Sequence, residues 1–190
     1  MYKIIETKCE YGENPVGLDC ENPRLFWKLS SDGADQKFYR VIVSSSEENA
    51  GKGIGDLFDT GEIVSSEAFY TEYRGKKLLS RQKCFWRVWS GSETERAASG
   101  INAFEMGLLR DSDWKGCWMG MPVKNQGGTS LYRKAIRLKE KPVSNAKAYV
   151  CGIGYHETFF NGKKVGSAVL SPSLSDYNAR VFYRAYDLSP

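Results

Sequence analysis

Hydrophobic and polar positions alternate along most of the chain with the two-residue period of strands. Arg24-Leu25-Phe26-Trp27-Lys28-Leu29 predicts a strand with Leu25, Trp27 and Leu29 on one face. Tyr39–Val43 is β-branched and runs into the polar stretch Ser44–Glu48, where Ser45 stands three residues before Glu48 and predicts the cap of one helical turn ahead of Gly51. Leu57–Gly61 reads as a strand and turn, and Ala68–Tyr73 as a strand followed by the basic turn Gly75-Lys76-Lys77. Cys84–Trp89 places Cys84, Trp86 and Val88 on one face, and Asn102–Leu109 closes the series. About seven short strands with turn signals every 8–12 residues predict an all-β chain, beginning with a β-sandwich of fibronectin type III or immunoglobulin type over residues 1–109.

A second unit, residues 110–190, follows the turn-forming Asp111-Ser112-Asp113-Trp114. Lys124–Thr129 reads as a loop, and Leu131–Leu138, Ala146–Cys151 and Val181–Tyr186 as strands. Tyr155–Phe160 and Lys164–Gly166 flank Asn161-Gly162, a strong signal for a hairpin with a type I′ turn. Some five strands are fewer than the eight of a jelly roll, so this unit is expected to be the first part of one. A strand edge left unpaired there would be a template for a dimer, with Val181–Tyr186 frayed, swapped or paired with a neighbour.

Composition narrows the function classes. Hydrophobic residues make up 41% of the 190, with 19 glycines and 6 prolines besides, which excludes disorder and Pro-rich or collagen-like classes. The net charge of +4 is spread along the chain, whereas nucleic acid demands a concentrated basic face, so no nucleic-acid partner is expected. The basic groups Lys76-Lys77, Arg133-Lys134 and Arg137/Lys139/Lys141 are read as solvated turns and strand faces. No apolar run approaches the ~20 residues of a membrane span, and MYKIIETKCEYGENP lacks the apolar core of a signal peptide. No membrane partner is therefore expected, and a leader removed before this numbering would imply a periplasmic or secreted protein, its lack a cytoplasmic one. The five cysteines (Cys9, Cys20, Cys84, Cys117, Cys151) contain no Cys-x-x-Cys and read mostly as buried thiols.

Candidate chemistry is sparse. His156 is the only histidine and reads as a sandwich-face residue rather than a general base. Gly51-Lys52-Gly53-Ile54-Gly55 lacks the strand before it, the helix after it and the Lys-Ser/Thr pair of a phosphate loop. The carboxylate pairs Asp56/Asp59, Glu93/Glu95 and Asp111/Asp113 lie in turn-rich stretches, where capping a turn is the expected role. Asn161, Asp176, Tyr177 and Asn178 could offer oxygen ligands to calcium or partners to sugar hydroxyls. Tyr155, Phe160, Tyr177 and Tyr183 are candidate exposed aromatics for a sugar, while Trp27, Trp86, Trp114 and Trp118 are assigned to the core. No catalytic residue, metal site or cofactor is expected beyond that calcium.

A series of motifs carries a resemblance. Glu13-Asn14-Pro15-Val16-Gly17-Leu18-Asp19 and Pro23-Arg24-Leu25-Phe26-Trp27 resemble the opening of bacterial α-L-rhamnosidases of glycoside hydrolase family 78. The likeness continues through Tyr39–Ser46, Gly55–Gly61, Tyr73–Arg81, Trp86-Arg87-Val88, Phe104–Leu109 and Asp113–Trp118. It ends with Gly152–Gly166, Ser175-Asp176-Tyr177 and Tyr186-Asp187-Leu188. The resemblance implies a fibronectin-type sandwich, a jelly roll, a catalytic (α/α)₆ barrel and a C-terminal β domain. It places the acidic residues that invert the α-rhamnosidic bond on the barrel, for which these 190 residues hold no position. Some family members use a jelly-roll domain to bind rhamnose with calcium. Two departures stand out. Cys84 occupies a corner where an aromatic is usual, and Pro172-Ser173-Leu174-Ser175-Asp176-Tyr177 lacks the tryptophan usual before Asp-Tyr. The implied function is a non-catalytic N-terminal region whose partners are the absent barrel and rhamnose-containing glycans. A stand-alone carbohydrate-binding module or a fibronectin-like spacer are the alternatives.

Overall fold

The computed structural model describes residues 2–30, 35–67, 69–121, 129–138 and 140–190. They are almost entirely β and divide into two compact units, Met1–Arg110 and Asp111–Pro190.

The first unit holds strands β1 (Lys3–Cys9), β2 (Val16–Leu18), β3 (Arg24–Ser30) and β4 (Phe38–Ser44), a helical turn α1 (Glu47–Gly51), then β5 (Phe58–Asp59), β6 (Ile63–Val64), β7 (Tyr70–Glu72), β8 (Lys83–Gly91), β9 (Arg96–Ala98) and β10 (Asn102–Met106). One sheet has the order β1-β3-β7 and the other β2-β10-β8-β4-β5, with β6 added to β4 and β9 to β8. All pairings are antiparallel except that of β2 with β10. The facing sides supply one core. Leu25 and Trp27 of the smaller sheet meet Val41, Val43, Trp86, Val88, Phe104 and Met106 of the larger. Alternation explains the selection, because every second residue of β3 and β8 points between the sheets. This is an immunoglobulin-type sandwich, with Trp27 and Trp86 both buried in it.

Among the described residues the Trp86 indole N–H is buried without a partner, but the polar groups around Gln36 are paired. The Trp27 indole N–H and the Ser90 hydroxyl both donate to Gln36 Oε1, at 3.1 and 2.8 Å, and Gln36 Nε2 donates to the carbonyls of Ser65 and Glu67. The Tyr2 hydroxyl lies 2.6 Å from Ser90 Oγ. The corner between β7 and β8 is closed by Tyr73, whose hydroxyl donates to the Lys76 carbonyl at 2.5 Å. Cys84 is wholly buried beside it in the core, so the aromatic that the departure at Cys84 called for stands at Tyr73. The helical turn is capped by Ser46 rather than Ser45. The Ser46 backbone is extended and its Oγ accepts from Asn49 N, which sets the cap one residue later than expected.

The second unit contains a 3₁₀ turn at Asp111–Asp113, then β11 (Lys147–Cys151), β12 (Phe159–Phe160), β13 (Lys163–Lys164) and β14 (Tyr183–Asp187). Strands β11 and β14 pair antiparallel, as do β12 and β13. The β12–β13 turn has Asn161 at φ 50° and Gly162 at φ 80°, the two left-handed positions of a type I′ turn. Leu131–Leu138, expected as a strand, is not one: all eight residues are exposed and none pairs with another strand. A strand requires a ladder partner as well as an alternating pattern, and none of the described strands offers one. The Lys124–Thr129 loop lies outside the described residues except for Thr129, and Ala68 and Lys139 also lie outside them.

Candidate functional site

Of the residues expected to form a site in the second unit, Asn161 and Asp176 serve local structure. Asn161 is exposed at the hairpin tip, where its left-handed backbone is its contribution. Asp176 organises a turn. Its carbonyl accepts from Ala179 N and Arg180 N at 2.9 Å each, and its Oδ1 accepts from Asn178 N at 3.0 Å. Asp176, Tyr177 and Asn178 are all exposed.

This donor set does not fit calcium, which takes six to eight oxygens, usually from several carboxylates. Asp176 is the single carboxylate among the four residues, and one of its oxygens already serves the turn. Among the described residues, no group of three or more His, Cys, Asp or Glu side chains is placed to hold a metal ion.

The aromatics of this unit divide. Tyr155, Phe160 and Tyr177 are exposed, as expected of a sugar-facing set. Tyr183 is not: it packs edge-on against Trp114 at 5.3 Å and against Tyr149 at 6.1 Å. Trp114 is half-buried in that contact, but Trp118, assigned to the core, is 65% exposed. Among the described residues no strand forms around Trp118 to give it an opposing face. His156 is half-buried against Gly152, where a Cβ would come within 2.7 Å of Nδ1. Among the described residues neither ring nitrogen has a hydrogen-bond partner, so no carboxylate or hydroxyl there is aligned with it as a catalytic dyad would require.

Asp56, Asp59 and Glu95 of the first unit are also committed. Asp59 receives two hydrogen bonds from Arg40, at 2.9 and 2.6 Å, and one from Gly61 N; the Arg40 guanidinium holds its carboxyl below the usual range. Burial pushes Asp56 up, but hydrogen bonds from Ser45 and Asn49 outweigh it and leave the group below its ordinary value. Glu95 Oε1 accepts from Tyr2 N, and in the second unit the Asp111 backbone carbonyl, not its carboxylate, accepts from Trp114 N. General acid catalysis needs a carboxyl raised toward neutrality, and Asp56 and Asp59 are shifted the other way. All five thiols are free, and burial pushes Cys84 up to about 12 and Cys20 to about 11, which disfavours the thiolate at both. Of the cysteines expected to be mostly buried, Cys9 and Cys84 are buried, Cys20 and Cys151 half-buried, and Cys117 exposed.

The sequence reading missed one cluster, on the outer face of β1-β3-β7. Phe26 points away from the core between Leu25 and Trp27, and Tyr11, Phe69 and Tyr70 gather around it with ring centroids 5.0, 6.3 and 5.4 Å away. A groove of about 430 Å³ opens there, lined by Tyr11, Phe26, Phe69, Glu6, Lys8 and Lys28. The signal was available: a phenylalanine at the solvent-facing position of an alternating strand calls for an explanation that a buried one does not.

Comparison with known proteins agrees with this architecture. Residues 4–110 match the family model "Rha78A-like, N-terminal immunoglobulin domain", and residues 141–190 match "Alpha-L-rhamnosidase N-terminal domain". An α-L-rhamnosidase of Formosa agariphila is 31% identical over 93% of this chain, and one of Alteromonas sp. is 32% identical over 99%. The solved α-L-rhamnosidase from Dictyoglumus thermophilum superposes over 98% of the chain with a TM-score of 0.86 at 34% identity. The chain spans 21%, 23% and 23% of those three proteins respectively. It belongs to the α-L-rhamnosidase family and corresponds to that family's N-terminal region.

Proposed function

We propose that this chain is the non-catalytic accessory region of an α-L-rhamnosidase, in which a separate (α/α)₆ barrel hydrolyses terminal α-L-rhamnose. The observation that carries the reading is the pair of family matches, over residues 4–110 and 141–190, on a chain whose Asp56, Asp59 and Asp176 carboxylates are engaged in turns and an ion pair. Its task is to pack against the barrel and to contribute to substrate binding. Residues 110–190 are read as the N-terminal part of a jelly roll. Their open two-stranded edges, β11 and β14, are where the remaining strands, or a second copy of the chain, would add.

The test is hydrolysis of an aryl α-L-rhamnoside by the purified chain. The expected rate is that of buffer. Turnover that co-purifies with the protein and is lost on denaturation would overturn the accessory role. The exposed Tyr155, Phe160 and Tyr177 favour a second reading, a stand-alone carbohydrate-binding module for rhamnose-containing glycans. That reading predicts sugar binding by the second unit with no need of a barrel.

A further inference from the structure

We propose that the outer face of the β1-β3-β7 sheet is a second carbohydrate platform, one that stacks a neutral pyranoside on Tyr11, Phe26 and Phe69. The outer face of a small antiparallel sheet is ordinarily solvated and polar. Here its centre is aromatic, and two of the rings, Tyr11 and Phe69, are each 67% exposed.

Tyr11 is held in place rather than left loose. Residues Glu10 and Tyr11 both adopt left-handed backbone, at φ 45° and 66°, a conformation that is costly for side chains of this size. The Glu10 carboxylate fixes that turn by accepting from Arg24 N at 2.6 Å, Nε at 3.1 Å and Nη2 at 2.7 Å. The same guanidinium lies over the Tyr11 ring at 4.9 Å, on a ring that also packs against Phe26 at 5.0 Å. An exposed ring so constrained is preorganised, and a ligand stacking on it pays little ordering entropy.

The surroundings select a saccharide over a protein surface. The centre of a protein interface is depleted of charge. Here Lys8 and Glu6, an ion pair, and Lys28 line the same groove as the rings. In the β1–β3 register Lys8 stands opposite Phe26 and Glu6 opposite Lys28, so donors and an acceptor run beside the aromatic centre. That is the pattern a pyranose presents in reverse, with a C–H face for the electron-rich ring and hydroxyls at the edge that both donate and accept. A volume of about 430 Å³ lies within the range of small-ligand clefts.

The test is an amide NMR titration of the whole chain with methyl α-L-rhamnopyranoside and methyl β-D-glucopyranoside, with sodium galacturonate as the anionic control. Saturable shifts are expected at Tyr11, Phe26, Lys28 and Phe69 with a neutral sugar at millimolar concentration. Phe69→Ala, at an exposed position, should weaken binding roughly tenfold while leaving the spectrum dispersed. Tyr11→Ala is the second variant should the first disturb the fold. No shift with either neutral sugar, shifts confined to the second unit, an unchanged Kd in both variants, or preference for galacturonate would overturn the proposal. So would self-association that Phe69→Ala abolishes, since that would make the face a protein interface. The accessory role stands or falls on the hydrolysis assay, which reads a different reaction.

Discussion

The two units share an all-β composition but differ in what their strands accomplish. In the first, two sheets face each other and bury Leu25, Val41, Val43, Trp86, Val88, Phe104 and Met106 almost completely. In the second, the described residues form two pairs of strands with no opposing sheet among them, and Tyr186, at 9%, is their only large buried hydrophobic side chain. Trp118, Leu131, Ile136, Phe159 and Val169 stay in water. Hydrogen-bonded strands are thus necessary but not sufficient for a stable domain. The free energy comes from the apolar area that a second layer removes from water, and an isolated two-stranded pair is marginal.

The largest expected effect follows from that difference. Amide hydrogen exchange of Val41, Val43 and Val88 should be slower than that of Tyr149 and Ala185 by a factor on the order of 10³ or more, because the former open only with the whole sandwich. Equal protection in the two units would break the comparison. Next in size is Trp86→Ala, which should cost the first unit about 3–5 kcal/mol in urea denaturation, the usual cost of emptying a large aromatic site. Tyr186→Ala should cost the second unit distinctly less, since its surroundings are less tightly closed. An equal loss would mean that Tyr186 sits in a core as complete as that of Trp86.

The same difference explains what could be read from the sequence. Strand β8 was legible because Cys84, Trp86 and Val88 alternate cleanly and both its neighbours, β4 and β10, are long. The hairpin at Asn161-Gly162 was legible because its chemistry is local. Strand β1 was missed because a register shift between Ile4 and Glu6 breaks its alternation. Strands β2 and β9, three residues each, are too short to show a period. Leu131–Leu138 failed the other way, having a pattern without a partner, which is information no single segment carries. Of the candidate site, the residue types at 161 and 176–178 could be listed from sequence, but their use in a hairpin tip and a turn depends on backbone geometry. The aromatic cluster around Phe26 needed the pairing of β3 with β7, which brings Tyr70 opposite it.

Smaller in effect is Tyr73→Phe, which removes only the hydroxyl donated to Lys76. The expected loss is about 1 kcal/mol, the net worth of one such hydrogen bond, with the corner otherwise intact. Burial pushes the Tyr73 phenol up to about 12, so the wild-type corner should keep its hydrogen bond through mildly alkaline pH. A loss of several kcal/mol in the variant would show that the corner, rather than the core, limits the stability of the sandwich.

The smallest effect is electrostatic and belongs to the second unit. Lys147 on β11 donates to Asp187 on β14 at 2.6 Å, and Ser189 N donates to the same carboxylate at 2.9 Å. The Lys147 hydrogen bond and then those from Ser189 hold the Asp187 carboxyl far below the ordinary aspartate range. A group whose folded value is depressed adds stability that is fully present above its unfolded value of ~3.9 and is lost as pH falls through the folded value. The β11–β14 pair should therefore be insensitive to pH between neutrality and about pH 5, and weaken progressively below about pH 4. Asp187 is half exposed, which limits the contribution to less than about 1 kcal/mol. Asp187→Asn should lower Tyr149 and Ala185 protection slightly at neutral pH and flatten its dependence on acid. Arg40–Asp59 and Arg24–Glu10 give the first unit the same sign of dependence, but there the buried core masks it. An Asp187→Asn protein whose β11–β14 pair weakens with acid as steeply as the parent's would assign the acid sensitivity of this unit to another carboxylate.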